Sequence, residues 1–276
     1  MEKAGRAVYD KNNTLTRGDP PMIFYFSATG NSRYVAERIA SATDDHLVSL
    51  RDAVRSRLYQ FDVSQEKRIG FVAPTYYYGL PSILNFFLEK LRLTGYQDQY
   101  VYLVLTCGGS TGDAAGQMGR LLKKKGVTLS AQFGIPMVSN YIPLEKMEPP
   151  EKIEQRLDEA EEYIDEARRA IRAKGIGDYN RCQGTLPGAL TAAAYPLYLR
   201  GRSTKPFLVT DECISCGLCQ EICPCGAITL TEGRPAWTKP QCVRCLGCLH
   251  RCPARAIRWK KADEDRGRYV NPRVGL

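Results

Sequence analysis

CISCGLCQEICPCGAITL (213–230) and CVRCLGCLHRCPARAIRW (242–259) align without a gap, 29 residues apart. Each begins with the spacing C-x2-C-x2-C-x3-C-P: Cys213, Cys216, Cys219, Cys223 with Pro224, then Cys242, Cys245, Cys248, Cys252 with Pro253. Ala227 and Ile228 of the first copy match Ala256 and Ile257 of the second, so the likeness extends past the cysteines. Thiolates at this spacing are those of the bacterial iron–sulfur run. Two similar halves of one sequence predict a small pseudo-symmetric unit.

Structural zinc prefers separated cysteine or Cys/His pairs over three thiols at intervals of three followed by Cys-Pro. A disulfide framework needs an oxidising compartment, for which the sequence carries no signal. From about Phe207 to Trp259 the chain resembles the bacterial ferredoxins that hold two 4Fe–4S clusters. In those proteins the fourth cysteine of each run ligates the other cluster. The resemblance therefore implies one ligand set of Cys213, Cys216, Cys219 and Cys252, and another of Cys242, Cys245, Cys248 and Cys223. Such crossed staples would tie together a domain whose core is too small to be stable alone.

Upstream the pattern changes. MIFYF (22–26) reads as a buried strand, and the apolar face of Tyr34, Val35 and Ile39 starts a helix. Between them lies Ser27-Ala28-Thr29-Gly30-Asn31-Ser32. A strand feeding a loop of small polar residues and then a helix N-terminus suits phosphate, because unpaired N–H groups and the helix dipole favour an anion. Ser27, Thr29 and Ser32 add hydroxyl donors, and Gly30 permits close approach. Neither the Walker loop nor the dinucleotide fingerprint is present. RIGFVA (68–73) is a further strand, ending in Pro74-Thr75-Tyr76-Tyr77-Tyr78-Gly79-Leu80-Pro81 and then a helical pattern. Adjacent tyrosines in a Pro/Gly-bounded loop suit stacking on a flat ligand. YVYLVLT (100–106) leads into Cys107-Gly108-Gly109-Ser110-Thr111-Gly112, a helix through Leu121 and Leu122 follows, and a fifth strand falls within 127–138 before Ser139-Asn140-Tyr141.

Alternating strands and helices predict an α/β fold: a doubly wound parallel sheet. With strand order 2-1-3-4-5, the loops after strands 1 and 3 flank the switch-point crevice. SATGNS, PTYYYGLP and TCGGSTG resemble the phosphate loop and the two flavin-flanking loops of flavodoxins. With the C-terminal two-cluster ferredoxin-like α+β domain, the chain from Met22 to Trp259 resembles the EFR1-family flavodoxin–ferredoxin fusion proteins. That resemblance implies FMN and two 4Fe–4S clusters. It implies that Ser27, Thr29, Gly30, Asn31 and Ser32 hold the FMN phosphate. It further implies that Pro74, Thr75, Tyr76, Tyr77, Tyr78 and Gly79 lie along the ring, that Cys107, Gly108 and Gly109 line its far side, and that Asn140 and Tyr141 close the pocket.

The chain has 276 residues and a formal charge of +9. Each oxidised cluster with its four thiolates adds about −2, so the loaded chain is nearer about +5. A moderate cationic excess can steer an acidic redox partner; flavodoxins are usually acidic, so a conventional flavodoxin partner does not follow. No basic run with interleaved aromatics points to nucleic acid, and no apolar run is long enough to span a membrane. Cytoplasm is the expected compartment, and oxygen-sensitive clusters suit an anaerobe. The expected organisation is a disordered N-terminal extension over 1–21, a flavodoxin-like domain over 22–175, a linker over 176–206, a ferredoxin domain over 207–260 and a tail over 261–276. Ile153, Leu157, Ala160, Ile164, Ala167 and Ile171 line one face of a helix that closes the first domain. Leu186–Leu199 is expected as a buried connector, Cys182 as an unremarkable thiol, Cys225 as a non-ligand and His250 as a solvated residue. No acid–base constellation stands out, so an electron carrier is expected. The alternatives are an FMN-dependent reductase of a quinone or similar small acceptor, and a docking subunit of a larger redox complex.

Overall fold

The computed structural model describes residues 22–260 and 266–275. The expected N-terminal extension, and residues 261–265 and 276 of the expected tail, lie outside the described residues. The first half runs β1 (Met22–Tyr25), α1 (Asn31–Thr43), β2 (His46–Ser49), α2 (Leu50–Arg55), β3 (Gln60–Asp62), β4 (Arg68–Pro74), α3 (Ser82–Lys90), β5 (Arg92–Thr94), β6 (Tyr100–Cys107), α4 (Ala114–Lys123), β7 (Ala131–Pro136) and α5 (Pro150–Arg172). Then come β8 (Gly177–Tyr179), α6 (Pro187–Arg200), β9 (Phe207–Val209), α7 (Leu218–Glu221), β10 (Ile228–Thr231), β11 (Arg234–Trp237), α8 (Gly247–His250) and β12 (Ile257–Trp259).

The main sheet has the order β2-β1-β4-β6-β7-β8, all parallel. Its first five strands reproduce the expected order 2-1-3-4-5. The sixth, β8, falls within the stretch expected to be linker: three residues bounded by glycine carry too little periodicity to be read as a strand. The alternating faces of β1, β4 and β6 feed two cores. Phe24, Phe71, Leu103 and Leu105 meet α2, α3 and α4 on one side; Ile23, Val72, Tyr102 and Val104 meet α1 and α5 on the other. Leu157, Ala160, Ile164, Ala167 and Ile171 are all buried in the second core, so α5 is the closing helix of this layer. Parallel strands put every loop that follows a strand at one end of the sheet, and that end holds the candidate site.

The C-terminal region is built from two small antiparallel pairs, β10 with β11 and β9 with β12. The sequence repeat is also a backbone repeat. α7 and α8 occupy matching positions 29 residues apart, and so do three left-handed residues: Ser215 and Arg244 (φ 55° and 57°), Gly217 and Leu246 (77° and 58°), Gly226 and Arg255 (56° and 51°). Only glycine occupies that region without a steric cost of roughly 1–2 kcal/mol. Keeping Ser, Arg and Leu there shows that the loop shape takes precedence over local propensity.

The connector forms helix α6, whose buried side differs from the expected one. Thr191, Tyr195 and Tyr198 are buried, whereas Leu186, Leu197 and Leu199 are exposed. Tyrosines reach further than leucines and end in a hydroxyl, so they can fill a joint lined by polar backbone. Among the described residues no helix is long and apolar enough to cross a membrane.

Candidate functional site

Two hollows separate the eight cysteines of the repeat. Cys213, Cys216, Cys219 and Cys252 line one, together with Leu230 and Ile257. Cys223, Cys242, Cys245 and Cys248 line the other, together with Ile228 and Trp237. The fold thus gathers three thiols of one run with the last thiol of the other. Main-chain N–H groups already point at sulfur: Ala227 N donates to Cys223 Sγ and Arg244 N to Cys242 Sγ, both at 3.2 Å. Such bonds favour the thiolate, the form that ligates metal. Cys225 also borders the second hollow, with its Sγ 3.9 Å from that of Cys223.

The second thiol loop rests on the sheet's loop end. Val243 and Cys245 pack against the core that contains Phe26 and Tyr76. A Cβ built on Gly247 would lie 3.5 Å from the carbonyl oxygen of Ala28, so the start of α8 sits directly over the SATGNS loop. His250, at the end of α8, is buried rather than solvated: its Nε2 lies 2.8 Å from Asn140 O, and its Nδ1 accepts from Tyr269 N at 3.1 Å. The second contact makes Nδ1 the acceptor and Nε2 the N–H donor, and burial pushes the ring pKa down to about 4.

In the SATGNS loop the side chains hold protein. Ser27 Oγ accepts from Gly30 N (3.1 Å), Thr29 Oγ1 from Asn140 Nδ2, and Ser32 Oγ meets Thr106 Oγ1 at 2.7 Å. Asn31 donates to Val138 O (3.0 Å), while its Oδ1 accepts from Tyr269 Oη (2.6 Å) and Asn271 Nδ2 (3.1 Å). Asn271 N also donates to Thr29 O at 2.7 Å. The C-terminal segment therefore folds back onto this loop, and Thr29 and Ser32 are only 2% and 1% exposed. The main chain is different. Gly30 caps α1 with φ 103° and no side-chain cap, the first turn has no acidic residue, and among the described residues no hydrogen bond engages the N–H of Asn31 or Ser32.

Tyr76–Gly79 close a two-residue turn, with Tyr76 N donating to Gly79 O (2.9 Å) and Gly79 N to Tyr76 O (3.0 Å). Tyr77 and Tyr78 both have positive φ, 49° and 63°. Turns of this kind favour Asn-Gly, and two tyrosines there carry about 1–2 kcal/mol of steric cost each. Tertiary contacts hold them: Thr191 Oγ1 donates to Tyr78 O (2.6 Å), Tyr77 stacks on Tyr198, and Tyr77 Oη donates to Tyr141 Oη (3.0 Å). Tyr76 lies edge-on to Phe26 and Tyr198, and burial pushes its phenol pKa up. The three rings thus have separate surroundings. Pro74 ends β4; Thr75 N donates to Thr106 O (2.8 Å), while Thr75 Oγ1 is buried without a partner among the described residues.

Across the crevice, Gly108 and Gly109 are exposed, and a Cβ on Gly109 would meet nothing within 4 Å. Cys107 is buried beside them. Interaction with the Cys182 thiol, together with burial, holds Cys107 well above its ordinary pKa, and the same interaction holds Cys182 below. Tyr141 is gripped by Arg244 of the second thiol loop, whose guanidinium lies 5.4 Å from its ring and 4.7 Å from that of Trp259. Tyr198, Tyr269, Asn271 and Arg244 were not apparent as site residues in the sequence, because they come from the connector, the tail and the interior of a cysteine run. RYVNP (268–272), in an otherwise charged tail, is the one signal that pointed there.

Family models match this chain twice: a flavodoxin domain over residues 22–135 and a 4Fe-4S binding domain over 206–229. The chain is a flavodoxin–ferredoxin fusion. The sheet half of the fusion is also similar to solved structures. One is a Trp repressor binding protein from Bacillus subtilis, 14% identical with a TM-score of 0.37, the match covering 55% of this chain and 97% of that one. Another is an azoreductase from Bacillus anthracis (13%, TM-score 0.34, 56% and 99%). A third is a short-chain flavodoxin associated with a PDU bacterial microcompartment (18%, TM-score 0.33, 55% and 99%). No curated protein matches the chain.

A flavodoxin domain brings FMN and a ferredoxin domain brings 4Fe–4S clusters, so the fusion has a flavin and iron–sulfur electron-transfer role. The donor sets fit these groups. Unengaged N–H groups at an uncapped helix start match a phosphate, and the cysteines that line the two hollows are the donor type a 4Fe–4S cluster takes.

Proposed function

We propose that the fusion passes electrons between FMN, two 4Fe–4S clusters and an external redox protein, with the second thiol set next to the flavin. The observation that carries this reading is the seating of the Cys242–Gly247 loop on Phe26, Ala28 and Tyr76, while the other set faces outward with Cys216 exposed. FMN, when bound, exchanges one or two electrons, and each cluster exchanges one.

The chain's own residues orient and insulate. Asn31, Ser32 and Gly30 would hold the phosphate through the main chain, with their side chains fixing the loop. Thr75 and the Tyr76–Gly79 turn would border the ring, with Cys107, Gly108, Gly109, Asn140 and Tyr141 on the other sides. Cys213, Cys216, Cys219 and Cys252 would ligate one cluster; Cys223, Cys242, Cys245 and Cys248 the other. Tyr198, Arg244 and His250 fix the thiol loop against the sheet through Val243, Tyr141 and Asn140. The sheet unit is proposed to extend from Met22 through β8, followed by a connector that includes α6 and a ferredoxin unit over 207–260. A partner of acidic surface suits the cationic excess. The exposure of Gly108 and Gly109 gives the second reading, a flavin reductase of a small acceptor, its one structural support.

Anaerobic reductive titration of the reconstituted chain tests the proposal. Uptake of about four electrons per chain, two to FMN and one to each cluster, is expected. Uptake confined to flavin, or steady turnover of a quinone at a rate that leaves added redox proteins unreduced, would contradict it.

A further inference from the structure

Several arginines pair with a carboxylate: Arg33 with Glu37, Arg38 with Glu161, Arg156 with Glu148, Arg181 with Glu166. One groove gathers cations without such partners among the described residues. It lies between the α2–α3 side of the sheet domain and the second thiol loop. Arg55, Arg57, Arg202 and Lys239 line it, and among the described residues no Asp or Glu does. Their partners are neutral. Arg55 donates to the carbonyls of Gln220 and Glu221, Arg202 to the Gln241 amide oxygen (3.2 Å), and Lys239 to the carbonyl of Cys225 (2.6 Å). The Arg57 side chain is exposed and, among the described residues, makes no hydrogen bond or ion pair.

The floor of the groove is Pro224, Cys225 and Cys242, the outer wall of the second thiol set. Its rim carries Phe86, 41% exposed, with Lys90 Nζ 5.1 Å from the ring. Uncompensated cations around an exposed aromatic are the composition of a protein-docking patch, where Arg and aromatics supply the anchors and charge sets on-rate and orientation. The four cations come from both walls, Arg55 and Arg57 from the sheet domain and Arg202 and Lys239 from the connector end and the ferredoxin region. We propose that this groove docks the acidic face of a small one-electron carrier protein and is the electron port of the second thiol set. The inference rests on the proposed function. In the exchange one electron leaves the reduced carrier, which is oxidised, and enters the chain's iron–sulfur centre, which is reduced; no bond is made or broken.

The test uses the cluster-loaded full chain and, as probe, an acidic plant-type 2Fe–2S ferredoxin. Affinity is measured by titration across a range of salt, and carbodiimide coupling of ferredoxin carboxylates is mapped by mass spectrometry. The expected results are cross-links to Lys239 and an affinity that falls with salt. Binding should be weaker by on the order of tenfold or more in R57E/R202E, with a flatter salt dependence. R172E, on α5 at the opposite layer, should bind as the parent does. R57E alone, altering a side chain with no hydrogen bond or ion pair among the described residues, should show a smaller loss at unchanged iron content and unchanged cluster spectrum. Equal affinity in R57E and R57E/R202E, equal loss in R172E, cross-links only elsewhere, or binding of the small anion anthraquinone-2,6-disulfonate without binding of ferredoxin would each overturn the proposal. A chain that takes up no iron fails the proposed function itself; a loaded chain indifferent to these charges fails only this inference.

Discussion

Replacing Tyr198 by phenylalanine removes one oxygen from the point where the connector, the sheet domain and the second thiol loop meet. That hydroxyl accepts from Ser82 N (3.0 Å) and lies 2.9 Å from Val243 O and 3.0 Å from Ser82 Oγ. The ring is 1% exposed, and burial raises the phenol's pKa, so it stays protonated and able to donate. Phenylalanine keeps the stack on Tyr77 and the edge contact with Tyr76. What changes is hydrogen bonding. Val243 is buried, so its carbonyl loses a partner that water replaces poorly, whereas Ser82 is half-buried and its N–H can be re-solvated. One orphaned carbonyl and one weakened N–H cost about 1–2 kcal/mol of local stability. Native-state hydrogen exchange of the loaded chain reads this directly. The Ser82 amide should exchange roughly 5–30 times faster, while amides in the centre of β6 keep their rates. Unchanged Ser82 exchange would refute the claim that this hydroxyl fastens the joint. Equal acceleration through β6 would refute its local character. Tyr198→Ala, which also removes the ring beneath Tyr77, should cost about 3–5 kcal/mol.

Three further outcomes are expected. Arg68 grips Asp45 with Nε at 3.0 Å and Nη2 at 2.9 Å, and the Asp45 side chain is fully buried. R68M should therefore lose about 3–5 kcal/mol at pH 7. Burial already raises the Asp45 pKa. A raised carboxyl favours the fold below its unfolded pKa and loses that contribution as pH rises through the folded value, so the R68M deficit should shrink as pH is lowered through that window; unfolding measured at pH 7 and pH 4.5 checks the sign. Crossed ligation predicts that C213S/C252S leaves one cluster intact, near four irons per chain, whereas C213S/C223S damages both; iron counts with electron paramagnetic resonance distinguish these. Cys182, half-exposed with its pKa lowered by Cys107, should be the first thiol of the loaded chain to react with iodoacetamide, and C107A should slow it.

The sequence carried the strands of the sheet and the cysteine repeat well, because both express themselves as period and spacing. Strand faces such as Phe71 and Val72 alternate between two cores, and thiol ligation tolerates only a few spacings. The joint between the halves was not legible. Tyr198, Arg244, His250, Tyr269 and Asn271 act through contacts with residues far away in the chain, as when Tyr269 and Asn271 reach Asn31. No local pattern encodes such pairs. His250, between two cysteines on a four-residue helix, looked solvated because its burial comes from the sheet domain and the tail. The tyrosine loop was visible as unusual, but its left-handed turn at Tyr77 and Tyr78 contradicts local propensity and is set by α6 and Tyr141. Local rules fail most where partners impose the geometry, and here those places surround the proposed flavin.

The central claim is that one chain holds a flavin and two iron–sulfur clusters. Purification without oxygen, followed by determination of iron, acid-labile sulfide, zinc and flavin on the same sample, tests it most directly. About eight irons, about eight sulfides and one FMN per chain are the predicted result. Zinc in place of iron, or no flavin retained after reconstitution, would contradict it.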